Sequence, residues 1–212
     1  MNLALFYDTD TTGLPLFSEP SEDPRQPHMV QLAVLLVDMD TRKERASLDL
    51  IIKPEGWEVP ADVAAIHGIT TEMAHDLGVP EKAAVEMLLE MWRGERLRIG
   101  HNEQFDARIV RIGTMRYAPL FADPWKAGKA ECTARMATPI CAIPPTEKMR
   151  AAKRFHHKTP NLGEAYAHFC GANLQDAHSA LADARACSRI YFAMRAPKSD
   201  HGADSPLETT HE

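Results

Sequence analysis

Five residues of this chain are of the types that hold hard cations and move protons, and they are spread over most of its length. Asp8 and Asp10 flank Thr9 near the N-terminus, Asp106 closes the segment His-Asn-Glu-Gln-Phe-Asp, and His178 and Asp183 bracket His-Ser-Ala-Leu-Ala-Asp. Several carboxylate oxygens gathered at one point suit divalent cations. Such cations, with a proton acceptor beside them, are what phosphodiester hydrolysis requires. Each piece also has an ordinary reading when taken alone. Asp-Thr-Asp-Thr-Thr-Gly is rich in turn formers. A carboxylate in the first turn of a helix is favoured by the helix dipole. A histidine ahead of a helix is a common surface residue.

The elements that would carry these residues follow from apolar spacing. Leu3 to Tyr7 is an apolar run ending in Asp8 and predicts a buried first strand; a period of two puts Asp8 and Asp10 on one face. The runs from His28 to Val37 and from Ser47 to Lys53 predict two more strands, joined by a charged link into a meander. The proline-punctuated stretch from Ser18 to Pro27 between the first two strands predicts a surface loop. A short helix is expected over 60–65, then a turn at His67-Gly68-Ile69-Thr70, with Thr70 or Thr71 capping a second short helix. Ala84, Val85, Leu88, Leu89 and Trp92 recur at a helical period within 80–92. Leu97 to Gly100 predicts a short strand, and 103–115 a helix with Asp106 in its first turn. Helices are also expected over 161–170 and 179–194; with Ser179 as N-cap, His178 stays just outside and Asp183 falls on the second turn. Strands first, then alternation with helices, predict an α/β domain around a mixed sheet. Strand ends and helix starts gather on one rim of such a sheet, so three segments each deliver an acid there.

Bulk properties narrow the classes. The 212 residues suffice for one domain, expected over 1–195, with a polar, apolar-poor tail over 196–212 expected to be disordered. A net charge of −6 argues against coating nucleic acid by bulk charge, but permits holding a strand end, because bound cations would reverse the local potential. The longest apolar run is too short to span a bilayer, and the N-terminus reads as a strand and not as a signal peptide. Cys132, Cys141, Cys170 and Cys187 form no Cys-x-x-Cys pair, so a zinc knuckle is not expected and four reduced thiols in a cytoplasmic protein are. One stretch departs from the acidic background: Lys148, Arg150, Lys153, Arg154 and Lys158 lie close together, either a solvated face or a phosphate contact.

Taken together, the motifs resemble the DEDDh branch of the DnaQ-like 3′→5′ exonucleases, typified by the proofreading subunit of bacterial DNA polymerase III. Asp8-Thr9-Asp10-Thr11-Thr12-Gly13-Leu14 is similar to the first motif of that family, His101 to Asp106 to the second, and His178 to Asp183 to the third. The segment Ile66 to Thr70 also resembles a substrate-side element of polymerase-associated members. The resemblance implies an RNase H-like fold, two Mg²⁺ or Mn²⁺ ions held by Asp8, Asp10, Asp106 and Asp183, and His178 as the base that takes a proton from water. It also implies that Thr12, Leu14, His67, Asn102 and Phe105 receive the terminal nucleotide; core packing is the ordinary reading of Leu14 and Phe105, and for Phe105 the two readings are equal. The expected substrate is the 3′ end of DNA, single-stranded above all, with association to a DNA polymerase and no membrane partner. An RNA-trimming enzyme of the same fold is the alternative. One residue departs from the pattern: the family glutamate is Asp10, one methylene shorter, which leaves open an attenuated or silent nucleic-acid-binding module.

Overall fold

The computed structural model describes residues 1–174 and 179–195. Three long strands come first: β1 (Leu3–Thr11), β2 (Met29–Asp38) and β3 (Lys43–Lys53). They form the expected antiparallel meander, with Phe6 opposite Leu35 and Leu35 opposite Ser47. Then come α1 (Ala61–His67), α2 (Thr71–Leu77), β4 (Val79–Pro80), α3 (Glu81–Trp92), β5 (Arg98–Gly100) and α4 (Glu103–Tyr117). A 3₁₀ turn (Pro119–Phe121), α5 (Ala122–Ala127), β6 (Ala130–Cys132), α6 (Thr133–Cys141), α7 (Glu147–Ala151), α8 (Leu162–Cys170) and α9 (Ala180–Met194) complete the described chain. The strand order is β4-β3-β2-β1-β5-β6, and β2 alone runs against its neighbours in this mixed sheet.

Both faces of the sheet are covered, which is why β2 reads as a nearly unbroken apolar run and is buried along its whole length. On one face Leu5, Tyr7, Leu32 and Val34 pack with Val85, Leu88 and Trp92 of α3 and Ile109 and Ile112 of α4. On the other, Ala4, Phe6, Ala33 and Leu35 pack with Ala180, Ala184, Cys187 and Tyr191 of α9. Alternation along β1 therefore sends even-numbered residues, Asp8 and Asp10 included, toward the α9 layer.

β1 runs on through both aspartates to Thr11, so the strand reading of Asp8 and Asp10 holds and the turn reading does not. The structure differs from the sequence expectations in three places. The segment after β1 is not a plain surface loop: Ser21 and Gln26 are buried. Arginines of α4 reach over and satisfy its carbonyls. Arg116 donates to Pro27 O at 3.1 Å and Gln26 O at 2.6 Å, and Arg108 donates to the carbonyls of Leu16 and Glu19. Asp183 lies in the first turn of α9, not the second. Finally, β6, α5, α6 and α7 were not expected from the sequence; β6 is three residues long, α5 and α7 are six and five, and α6 contains Pro139. Residues 175–178 and the 196–212 tail, on which the disorder expectation falls, lie outside the described residues.

A buried polar knot holds the start of β2 to the helical layer. Glu81, at the first position of α3, accepts from the Met29 amide (3.1 Å) and the Tyr117 hydroxyl (3.0 Å) and lies 2.8 Å from His28 Nδ1. Arg116 stands 3.5 Å away. Burial pushes the Glu81 carboxyl up, but His28, Arg116 and the Met29 amide outweigh it and hold it below its ordinary value. Removing one partner of such a knot leaves the others uncompensated. Glu81→Ala is therefore expected to cost about 3–5 kcal/mol in urea unfolding, and a loss near zero would show that the knot is not structural.

Candidate active site

β1, β5 and β6 run parallel, so their C-terminal ends open on one rim. β5 stops at Gly100 after pairing with Leu5 and Phe6, whereas β1 continues to Thr11. The Thr9 amide thus looks out past the end of β5. Asp106 fills that gap: its Oδ1 accepts from the Thr9 amide at 2.9 Å and from the Thr9 hydroxyl at 2.7 Å. One residue between the two strand aspartates therefore latches the helical aspartate in place.

The connection between β5 and α4 is built for this placement. Asn102 takes the left-handed conformation (φ 68°), which asparagine tolerates better than most residues, and α4 begins at the next residue. His101 braces the turn. Its Nε2 lies 3.1 Å from Pro160 O and its Nδ1 2.9 Å from Thr133 Oγ1. A carbonyl only accepts, so Nε2 carries the proton, and burial lowers the His101 pKa, keeping the ring neutral. Below Asp106, the Tyr7 hydroxyl donates to Glu103 Oε1 at 2.7 Å, Arg98 stands 3.6 Å from the same oxygen, and its guanidinium lies 4.0 Å from the centroid of the Trp125 ring. This buried chain ties β1, β5, α4 and α5 into one support.

Asp183 arrives on α9, whose first amide, that of Ala180, donates to Gln31 Oε1 at 3.3 Å; Gln31 Nε2 donates to Asp49 Oδ1 at 2.7 Å. Gln31 is paired with Asp10 across β1 and β2. It therefore docks the helix that bears Asp183 beside the strand that bears Asp10.

The four carboxylates form one electrostatic unit. Burial, then the charges of Asp106, Asp183 and Asp10, push Asp8 well above the usual carboxylate range. Burial, then Asp183 and Asp49, push Asp10 up to about 7. Burial pushes Asp106 to about 7 as well; the Thr9 hydrogen bonds oppose this and Glu103 adds to it. Asp10 Oδ2 is buried with no hydrogen-bond partner. Among the described residues no three His, Cys, Asp or Glu side chains close into a ready metal-holding group. The structure thus brings Asp8, Asp10, Asp106 and Asp183 into mutual range without closing them into a chelate. An orphaned buried carboxylate oxygen among like charges is the donor chemistry that a hard divalent cation fits. His178 lies outside the described residues.

The residues expected to receive a nucleotide are differently placed. Thr12 follows β1 directly and is bonded twice to His28, its amide donating to His28 O and its hydroxyl accepting from the His28 amide, both at 3.0 Å. Leu14 is 78% exposed, which excludes core packing for it. Asn102 is exposed and makes no side-chain cap bond. Phe105 is partly buried against the α3–α4 core, so packing accounts for at least part of it. His67 closes α1, and its Nδ1 accepts from the Ile69 amide at 3.1 Å. Sequence reasoning missed Thr9, Gln31, His101 and Asp49. A polar Gln31 inside an otherwise apolar strand was the one signal available. A cavity of about 770 Å³ lies at the opposite end of β1, lined by Asn2, Arg42, Arg96 and Lys129, and is separate from the carboxylate rim.

A mixed sheet with helices on both faces and carboxylates at the open end of its first strand is the RNase H-like architecture. The sequence profile of the family described as Exonuclease (RNase_T) matches residues 5–191, and the chain belongs to that family. Solved structures share the fold. E. coli exonuclease I in complex with a dT13 oligonucleotide superposes with a TM-score of 0.67 at 19% identity, covering 92% of this chain and 41% of that one. A moderately thermophilic exonuclease I from Methylocaldum szegediense gives a TM-score of 0.67 at 21% identity, covering 92% and 40%. This chain therefore spans about two fifths of the length of those proteins. No curated protein sequence matches it.

Carboxyls whose folded pKa stands above the unfolded value near 3.9 bind more protons when folded, so their contribution to stability falls as pH rises from about 4 to about 7. In EDTA, Tm should drop between about pH 5 and pH 7.5, and Asp10→Asn should flatten the drop. Mn²⁺ should raise Tm more at the higher pH, and less in Asp10→Asn. Identical pH slopes for the two proteins, measured by scanning fluorimetry, would refute this coupling.

Proposed function

We propose that this chain is a metal-dependent 3′→5′ exonuclease of the DEDDh type that releases nucleoside monophosphates from the 3′ end of single-stranded DNA. The observation that carries the reading is the Asp106–Thr9 latch, which joins the second motif to the middle of the first. Membership of the Exonuclease family supports hydrolysis of phosphodiesters. Exonuclease I structures described with dT13 and dA16 oligonucleotides support single-stranded DNA as the substrate class.

Asp8, Asp10, Asp106 and Asp183 would hold two Mg²⁺ or Mn²⁺ ions, which supply charge stabilisation at the scissile phosphate and a more acidic water. The chain's own residues do the rest. His178, placed by its motif just ahead of α9, takes the proton of the attacking water; an unperturbed imidazole titrates near 6.5 and suits neutral pH. Exposed Leu14 and the edge of Phe105 press on the terminal base, while Thr12, Asn102 and His67 border the sugar and phosphate. Residues 1–195 act as one unit, cytoplasmic in setting. Association with a DNA polymerase belongs to this reading on motif resemblance alone. Among the described residues no helix is long and apolar enough to cross a membrane.

End-labelled single strands incubated with Mn²⁺ should shorten stepwise from the 3′ end, and matched RNA should shorten more slowly. Degradation from the 5′ end, or faster loss of RNA, would overturn the substrate assignment. His178→Ala should slow cleavage by about 10²–10⁴-fold while the Mn²⁺-induced rise in Tm persists; loss of both together would contradict its role as a base.

The shorter Asp10 favours a second reading, a weakened enzyme. Its orphaned, buried Oδ2 leaves room for that. Asp10→Glu should then raise the rate by at least about tenfold, the scale of effect that small displacements of reacting groups produce. A fall in rate would show that the site is built around aspartate.

A further inference from the structure

The eleven residues from Lys148 to Lys158 contain five Lys or Arg and no Asp or Glu, in a chain whose net charge is −6. Lys158 is paired with Glu164. Lys148, Arg150, Lys153 and Arg154 are exposed and, among the described residues, form no ion pair. Between Arg154 and His156 stands Phe155, 73% exposed, an aromatic ring left in water amid cations.

The segment is a shaped arm with a fixed base. Thr146 caps α7 by accepting from the Met149 amide at 3.2 Å. After the helix, Lys153 adopts the left-handed conformation (φ 57°), and the Arg154 amide donates to Met149 O at 2.8 Å. The Lys158 amide donates to Ile143 O at 2.9 Å and so closes the two feet of the arm on each other. Two residues on, Pro160 is buried, and its carbonyl is the one that His101 holds. His101 lies in the turn that delivers Asp106, so the arm leaves the body of the protein at the carboxylate rim.

Exposed cations that track phosphates, together with an exposed ring on which a base can stack, are the two components of single-strand recognition. A duplex keeps its base faces stacked and offers nothing to the ring. We propose that residues 146–158 form a strand-holding arm that grips single-stranded nucleic acid beyond its terminal nucleotide, with Phe155 stacking on a base and Lys153 and Arg154 on flanking phosphates. The proposal rests on the nuclease reading for the identity of the strand, but the arm's binding can be measured without any cleavage.

Fluorescence anisotropy of the full chain with a labelled thymidine homopolymer in EDTA tests it. Phe155→Ala should weaken binding roughly tenfold, and Phe155→Trp should restore it. Lys153→Ala with Arg154→Ala should reduce the slope of log K against log salt by about 1.4, two phosphate contacts on a single strand. With Mn²⁺, the same variants should hydrolyse the p-nitrophenyl ester of thymidine 5′-monophosphate at the wild-type rate, because that substrate reaches only the carboxylate rim. Unchanged anisotropy in all variants, or an equal loss on a duplex, would overturn the arm. If the unmodified chain hydrolyses neither the ester nor an oligonucleotide, the nuclease reading fails, and the anisotropy series still decides the arm.

Discussion

Like charges held side by side in a poorly solvated rim are the constraint around which this molecule is arranged. Asp8, Asp10, Asp106 and Asp183 each raise or feel the others' proton affinity, and a chain free to relax would separate them. Separation is prevented by geometry. Asp8 and Asp10 sit on a central strand bonded to β2 along its whole length. Asp106 is latched by two hydrogen bonds from Thr9, and the helix bearing Asp183 is docked by Gln31. Local repulsion of this kind persists only where the surrounding structure over-determines it, and such places tend to be functional.

The surrounding structure has the stiffness for this task. A sheet covered on both faces leaves its middle strands no freedom to shift, because a one-residue slip would turn every side chain to the wrong layer. The mismatch in strand length is equally important. A β5 as long as β1 would have paired with the Thr9 amide and left no opening for Asp106. The short strand is thus what lets the helical carboxylate meet the strand carboxylates.

Four acids meet at the rim, and Lys148, Arg150, Lys153 and Arg154 stand exposed on the arm around Phe155. In the proposed function these two places would have separate tasks: the arm would attract phosphates unaided, and the rim only once cations are bound. The exonuclease I chains that share this fold are more than twice as long as the part of them that superposes here.

The meander, α3, α4, α8 and α9 were legible in the sequence, because their apolar residues recur at periods of two or 3.6. So was Asp106 in the first turn of its helix, whereas Asp183 stands one turn earlier in α9 than its spacing suggested. β6 and α5 to α7 were not legible: a strand of three residues and helices of five and six are too short for a period to register, and α6 carries Pro139, which speaks against a helix interior. Nor did the stretch after β1 show its burial, because the partners that satisfy it are arginines about 90 residues away. Residue type and order alone determined that Asp8, Asp10, Asp106 and Asp183 are carried at the junctions of a mixed sheet and its helices. Only the folded chain decided that Thr9, Gln31 and His101 hold those acids in place. Hydrogen bonds between residues a hundred positions apart depend on distances in space, which no spacing along the chain encodes.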